Sequence, residues 1–525
     1  MSIITSLLKS KGRAAALKAE EEQQIASELK PLSGLEVYPN SIVSQDGVIY
    51  FLGRKEIDKN LGLLYPMELT PLFRDFSGEE ESVSIGESQI SLKICPTDHP
   101  NALVLRKHLT FTAPEVVGVK RSVGLGDRLG IATPGHIRAV RGTGVIPFFA
   151  QQSIREMTRT SRTPDEVMAD ATWGLFQEGF RGRFGSDADH LKTIGDMDSC
   201  IAAGFTMFTI DPGEYVDDEA DTCQPSTLKE KFECLPWKVL ESSAADCKRG
   251  YAGKVFAVAK DLHLEFAREV LFRAAVKYGR AVAHTVKLYR HLAETMGERP
   301  FELEMSVDET ATPTSLEEHF FVAGELKRLG VRWVSLAPRF VGEFEKAVDY
   351  KGDLTEFGRT FKEHLAIARH FGPYKLSIHS GSDKFSIYAI AAKEAGELVH
   401  LKTAGTSYLE ALRVIASEDA QLFREILDFA FTRWEEDRAT YHLSADLSKV
   451  ARPQDLGDED LAKVLEQFDG RQLLHCTFGS VLTWKDADGS FKFRQRLLQS
   501  LGQNEEAYYD TLEAHLGKHI APFKR

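Results

Sequence analysis

The chain has 525 residues and 43% hydrophobic content, enough for one large domain with appendages or for two or three domains. Its formal net charge of −13 is spread along the chain with no basic tract, which argues against general nucleic-acid binding. No apolar run approaches the roughly 18 residues of a membrane span. The early Lys9 and Lys11 are unlike a secretory signal, and the six cysteines contain no C-x-x-C pair, so a cytoplasmic chain with free thiols is expected.

Residues 1 to about 30 read as a polar amphipathic helix. Short β-rich stretches follow to about Phe111, among them Ser41–Val43, Val48–Leu52 and Gln89–Ile94. Residues 1–115 are therefore expected to form an N-terminal accessory region. From about residue 116 strands alternate with helices. The predicted series is strand 144–150, helix 164–180, weak strand 183–189, helix 196–203 and strand 205–211. A polar insertion is expected at about 212–253, then long helices over 262–295. The series resumes with strand 301–308, helix 315–329, strand 331–337, helix 355–371, strand 375–379, helix 384–396, strand 398–402 and helix 407–434. The last strand is expected at 441–446 or 473–478. Residues 486–525 read as a helical tail. Such alternation implies a parallel sheet, and about eight units over residues 116–485 fit a (β/α)8 TIM-type barrel; a doubly wound open sheet is the alternative.

The strand ends carry the chemistry. Strands alternate faces at a period of two. Phe301, Leu303, Met305 and Val307 fall on one face, and Glu302, Glu304, Ser306 and Asp308 on the other. Charge on that second face is costly in an ordinary core, so its natural home is a barrel mouth. By the same phase His379 lies with Ser377 and His400 with Lys402, while Asp211 and Asp308 end their strands. Imidazoles and carboxylates converging at C-terminal strand ends suit a divalent metal such as Zn, Mn, Co or Ni. Asp189, Glu304 and Asp308 are candidates for proton transfer. Arg339, Lys384 and Lys402 imply an anionic substrate. The stretch Gly124–Gly130 lacks both the G-x-G-x-x-G spacing and a clear preceding strand, and reads as a tight loop near the barrel entrance.

The segments GLGDRLGIATPGH at 124–136, ADHLKT at 188–193, RFVGEFE at 339–345 and KTAGTSY at 402–408 resemble the tagaturonate epimerase family, as do SADLSK at 444–449 and TFGS at 477–480. Asp189-His190-Leu191 also looks like a segment of aldolase-type sugar barrels. The resemblance implies a metal-dependent, cytoplasmic enzyme of hexuronate catabolism. It would interconvert D-tagaturonate and D-fructuronate, with the epimerised carbon taken to lie next to the ketone. On this reading His190 and His379 are metal ligands, with a third ligand among Asp308, Asp211, Glu343 and His400. Asp189 and Glu304 form the acid–base pair, and Arg339 and Lys402 bind the substrate. The expected partner is a small sugar acid, with no nucleic acid or membrane, and a homo-oligomer is compatible. A metal-dependent aldolase or other keto-sugar-acid isomerase, and a non-catalytic sugar-acid binder, are the alternatives.

Overall fold

The computed structural model describes residues 3–10, 12, 17–86, 88–441 and 443–524. Its N-terminal part is an antiparallel sheet of β1 (Glu36–Val37), β2 (Val43–Gln45), β3 (Val48–Lys55), β4 (Asp58–Pro66), β5 (Glu79–Ile85) and β6 (Ser88–Pro96). The order is β1-β3-β4-β6-β5, with β2 also paired to β3. Ile49, Phe51, Leu64 and Leu92 bury one face against the helix Ala19–Ser33, and Tyr50, Leu52, Leu61 and Leu63 bury the other. The edge strand β5 begins with three exposed glutamates, Glu79 to Glu81, which discourage pairing with another chain.

The barrel is closed and parallel. Its strands in chain order are β7 (Ser122–Leu125), β8 (Ile146–Ser153), β9 (Gly185–Leu191) and β10 (Met207–Ile210). A hairpin of β11 (Lys254–Ala259) and β12 (Leu262–Phe266) lies outside the barrel. The ring continues with β13 (Glu302–Val307), β14 (Ser335–Pro338), β15 (Lys375–Ile378) and β16 (Val399–Thr403), which pairs back to β7. Every residue of β13 is buried, because helices cover its outer face and its inner face looks into the barrel. Among the described residues no helix is long and apolar enough to cross a membrane.

Four predicted elements need correction. Among the described residues the helix expected over residues 1 to about 30 is two, Ile3–Leu8 and Ala19–Ser33. The remaining barrel strand is β7, not 441–446 or 473–478; Leu473–Cys476 lies in the helix Phe468–Cys476, and His442 lies outside the described residues. β7 has four residues, one of them Gly124, so it carries too little alternation to be seen as a strand. It runs into the glycine-rich stretch, so Gly124 and Leu125 are strand rather than loop; from Gly126 the chain turns tightly around the Asp127 carboxylate, as predicted for a loop. Asp127 Oδ1 accepts from the Leu129 and Gly130 amides at 2.9 and 2.8 Å, and Oδ2 from Ala132 at 2.7 Å. Residues 262–266 are strand β12 rather than helix; the long helix starts at Arg268 and ends at Met296. The helix predicted over 407–434 is two helices, Thr406–Glu418 and Ala420–Asp437, broken at Asp419, whose side chain caps the second through the Leu422 amide.

The C-terminal helix Glu505–Ile520 is anchored to the barrel. Its His515 Nε2 lies 2.6 Å from Asp383 Oδ1, and Tyr508 donates to the Ser407 carbonyl at 2.9 Å. Asp383 belongs to the loop after β15 that carries His379, so this helix braces the barrel mouth.

Candidate active site

The centre of the site arises from an irregularity in β9. Phe208 pairs with Ala188 but Ile210 pairs with Leu191, so β9 holds one extra residue at Asp189–His190. His190 adopts a left-handed backbone at φ 51°, unusual for a side chain of its size. A regular strand would send Asp189 and His190 to opposite faces. The bulge brings both to the barrel mouth, where they meet His379 from the end of β15. Donor atoms of Asp189, His190 and His379 all lie within 4.8 Å of one another. His190 Nε2 is 3.3 Å from His379 Nδ1, and His190 Nδ1 is 3.3 Å from Asp211 Oδ2. Ser380, next to His379, is also left-handed at φ 49°.

Beneath this triad lies a buried acidic network closed by one lysine. Lys402 Nζ is 2.8 Å from Asp187 Oδ2, 2.7 Å from Asp189 Oδ1 and 2.8 Å from Glu304 Oε1. It also donates to Thr209 Oγ1 at 2.8 Å. Gln151 Nε2 donates to Asp189 Oδ2 at 2.8 Å, and Thr209 to Asp187 Oδ1 at 2.8 Å. His379 Nε2 sits 2.6 Å from Glu304 Oε1, and its Nδ1 3.3 Å from Asp308 Oδ1. Glu304 Oε2 is buried without a hydrogen-bond partner.

Three carboxylates around one ammonium leave the network negative, and the titrations follow. Burial pushes Asp187 up to about 6 despite Lys402. Burial also works against charge on Asp189 and Glu304, but Lys402 and the neighbouring imidazoles outweigh it and hold both carboxyls below their ordinary range. Burial and the Lys402 charge oppose protonation of His379, yet Asp308 and Glu304 carry the ring up to about 10. A site that draws a proton onto an imidazole in this way demands positive charge.

Two connected clefts open onto the network. The larger, about 460 Å³, is lined by Asp308, Glu309, Arg339, Lys346, His379 and Ser380 among others. The inner one reaches Gln151, Asp189, His190, Lys346, His379 and Lys402.

The geometry sorts the sequence-predicted residues. Asp189, His190, Glu304, His379 and Lys402 come together, with Asp211 and Asp308 in direct contact with the histidines. His400 lies lower in the barrel, with Nδ1 2.8 Å from Ser122 Oγ beside Lys375, and is outside the metal-capable group. Glu343 stands at the outer rim, 4.0 Å from Arg339. Arg339 lines the outer cleft, where its guanidinium donates to the Thr310 carbonyl. Lys402 has four acceptors for three protons, which leaves none for a substrate. Lys384 is also buried away from the clefts, donating to the carbonyls of Glu345, Val348 and Ser382. Residues that sequence reasoning did not single out are Asp187, Gln151, Thr209 and Lys346. Asp187 and Asp189 share a strand phase, which was a readable signal. Gln151 lies beyond the predicted end of its strand at Ala150, and Lys346 lies on a loop with no periodicity to mark it.

Comparisons with known proteins agree with this architecture. A family model described as tagaturonate epimerase matches residues 38–523. The tagaturonate/fructuronate epimerase of Thermotoga maritima is 44% identical over 487 residues, covering 93% of this chain and 96% of that protein. Crystal structures of the fructuronate-tagaturonate epimerase UxaE from Cohnella laeviribosi superpose with a TM-score of 0.87 at 38% identity. The glycerol complex covers 95% of this chain and the native form 96%, each matching 99% of the Cohnella chain. With a bulged, histidine-bearing barrel mouth and similarity over nearly its whole length, the chain belongs to the tagaturonate epimerase family and is an isomerase of the epimerase type.

Proposed function

We propose that this protein interconverts D-tagaturonate and D-fructuronate, with a divalent ion held by Asp189, His190 and His379 and with Glu304 as the proton acceptor. The donor triad carries the reading: its ligand atoms lie within 4.8 Å of one another at the barrel mouth. The unpartnered Glu304 Oε2 beneath it supports the proton-transfer role. The names of the relatives supply the substrate pair. Two imidazoles and a carboxylate suit Zn, Mn, Co or Ni, and Asp211 stands where an outer carboxylate orients a ligating ring. This arrangement moves Asp189 from the expected acid–base pair into the ion site. Asp308, on the cleft wall, becomes the second carboxylate available for proton transfer.

The expected proton removal next to the ketone also needs revision. Both compounds are 2-ketoses with a carboxylate at C6, and they differ at C4. Enolisation of the ketone acts at C3 and leaves C4 untouched. Breaking and remaking the C3–C4 bond inverts C4 by acid–base chemistry alone. Glu304 takes the proton of the C4 hydroxyl, the C3–C4 electron pair moves towards the ketone oxygen, and C4 becomes an aldehyde. The aldehyde turns its other face to C3, the bond re-forms, and the proton returns to the C4 oxygen. A divalent ion held by Asp189, His190 and His379 would supply positive charge to offset the negative charge that develops on the ketone oxygen. Lys402 keeps Glu304 ionised and ready to accept a proton. Arg339 adds positive charge to the outer cleft, in keeping with an acidic substrate.

Proton NMR of D-tagaturonate with metal-loaded protein in D2O tests this. Fructuronate that retains hydrogen at C4 is the expected result. Deuterium at C4 would remove the bond-cleavage route in favour of proton abstraction at that carbon. Absence of fructuronate with every divalent ion tried would remove the function.

A further inference from the structure

We infer that Lys346 is the residue that reads the substrate's C6 carboxylate and so makes the site selective for a sugar acid over a neutral ketohexose; the inference rests on the function proposed above. Lys346 borders both clefts, and its Nζ donates to Ser380 Oγ at 2.5 Å, one residue from His379. The other cations around the clefts already have carboxylate partners. Arg128 holds Glu156 at 2.7 Å, Arg155 holds Glu309 at 3.1 Å, and Arg339 faces Glu343 at 4.0 Å. Lys402 holds three acids, and Lys192 is paired with Glu214 at 3.1 Å. Among the described residues no carboxylate lies within 4.0 Å of Lys346 Nζ. Burial pushes the neighbouring Glu309 up, and at longer range the Lys346 charge is foremost among those that hold it below its ordinary range; with no carboxylate in contact, the ammonium is placed to take one from the ligand.

The loop presents this ammonium rigidly. The Glu345 carboxylate accepts from the Ser444 amide at 2.8 Å, Gln472 at 2.7 Å and Lys351 at 2.8 Å. The buried Lys384 ammonium ties the Glu345 and Val348 carbonyls to that of Ser382, at 2.8, 2.5 and 3.1 Å. Ala347 is held left-handed at φ 62°. Both neighbours of Lys346 are thus pinned, and little ordering remains when a ligand arrives. The position also suits the chemistry. During bond cleavage the fragment C4–C6 is an aldehyde carrying the carboxylate. A held carboxylate keeps that fragment in the cleft while C4 turns its other face, and the Ser380 hydroxyl offers a second donor.

Lys346→Met tests the inference, with binding measured calorimetrically on metal-free and metal-loaded protein for D-tagaturonate and for D-tagatose, its neutral counterpart. The expected result is a 30- to 100-fold weaker affinity for tagaturonate, the range of one charge-assisted hydrogen bond. Affinity for tagatose stays within about 3-fold, and Lys346→Arg restores most of the tagaturonate affinity. Equal losses for both sugars would overturn the inference, as would unchanged tagaturonate binding. Wild-type conversion of tagaturonate is followed in parallel. If the wild type converts it and Lys346→Met binds it normally, only the role of Lys346 fails. If the wild type neither binds nor converts it, the proposed function fails and the inference with it.

Discussion

Glu304→Gln separates charge from shape at the centre of the network. Glu304 Oε1 meets His379 Nε2 at 2.6 Å and Lys402 Nζ at 2.8 Å, while Oε2 has no partner. The amide oxygen can occupy the place of Oε1, but both bonds lose a charged acceptor, a cost of about 1 kcal/mol each. The amide nitrogen then falls where nothing accepts from it, which adds about 1–3 kcal/mol. The expected destabilisation is about 3–5 kcal/mol, measurable as a lower urea midpoint at unchanged slope. The catalytic effect exceeds what lost packing explains, because an amide cannot take a proton. Turnover should fall roughly 100- to 10,000-fold, or about 3–5 kcal/mol of barrier. The assay is NMR conversion in both directions on protein whose metal content is measured in the same sample. Turnover within about 5-fold of wild type, at equal metal content, would refute Glu304 as the proton acceptor.

His190→Ala and His379→Ala should each lower bound divalent metal per chain by elemental analysis; unchanged content in either variant would remove that residue from the triad. Lys402→Met leaves Asp187, Asp189 and Glu304 without their shared cation. Breaking such a buried cluster costs about 3–5 kcal/mol, and urea unfolding that matches wild type would contradict the network. Asp383 is held well below the ordinary carboxylate range: burial opposes its charge, but Arg471 at 2.8 Å and His515 at 2.6 Å outweigh that. Its depressed value contributes stability that is present above the unfolded carboxyl pKa of about 3.9 and lost as pH falls through the folded value. Asp383→Asn should therefore lower stability at pH 7 by about 3 kcal/mol and flatten its acid dependence below about pH 4. An acid limb as steep as wild type would show that Asp383 does not carry that linkage.

Several features were legible in the sequence because they follow from local rules. The period of two placed Leu303, Met305 and Val307 against Glu304, Ser306 and Asp308, and helices between such strands implied a parallel barrel whose C-terminal mouth collects polar ends. That reasoning reached His379, Glu304, Asp308 and Lys402, and the quoted segments pointed to the family. Other features came only from tertiary structure. β7 is too short to declare itself and becomes a strand because β16 and β8 supply its hydrogen bonds on both sides. The bulge at Asp189–His190 breaks the alternation that sequence phase relies on, and barrel register alone brings both residues to one face. Lys402 looked like a substrate clamp in isolation. It became an internal counter-ion because closure of the barrel brings Asp187, Asp189 and Glu304 from β9 and β13 onto one ammonium. Arg339 and Lys346 illustrate the same limit: a cation's sequence position does not reveal whether an acid will fold against it, and partners brought together by folding decide which charge stays available to a ligand.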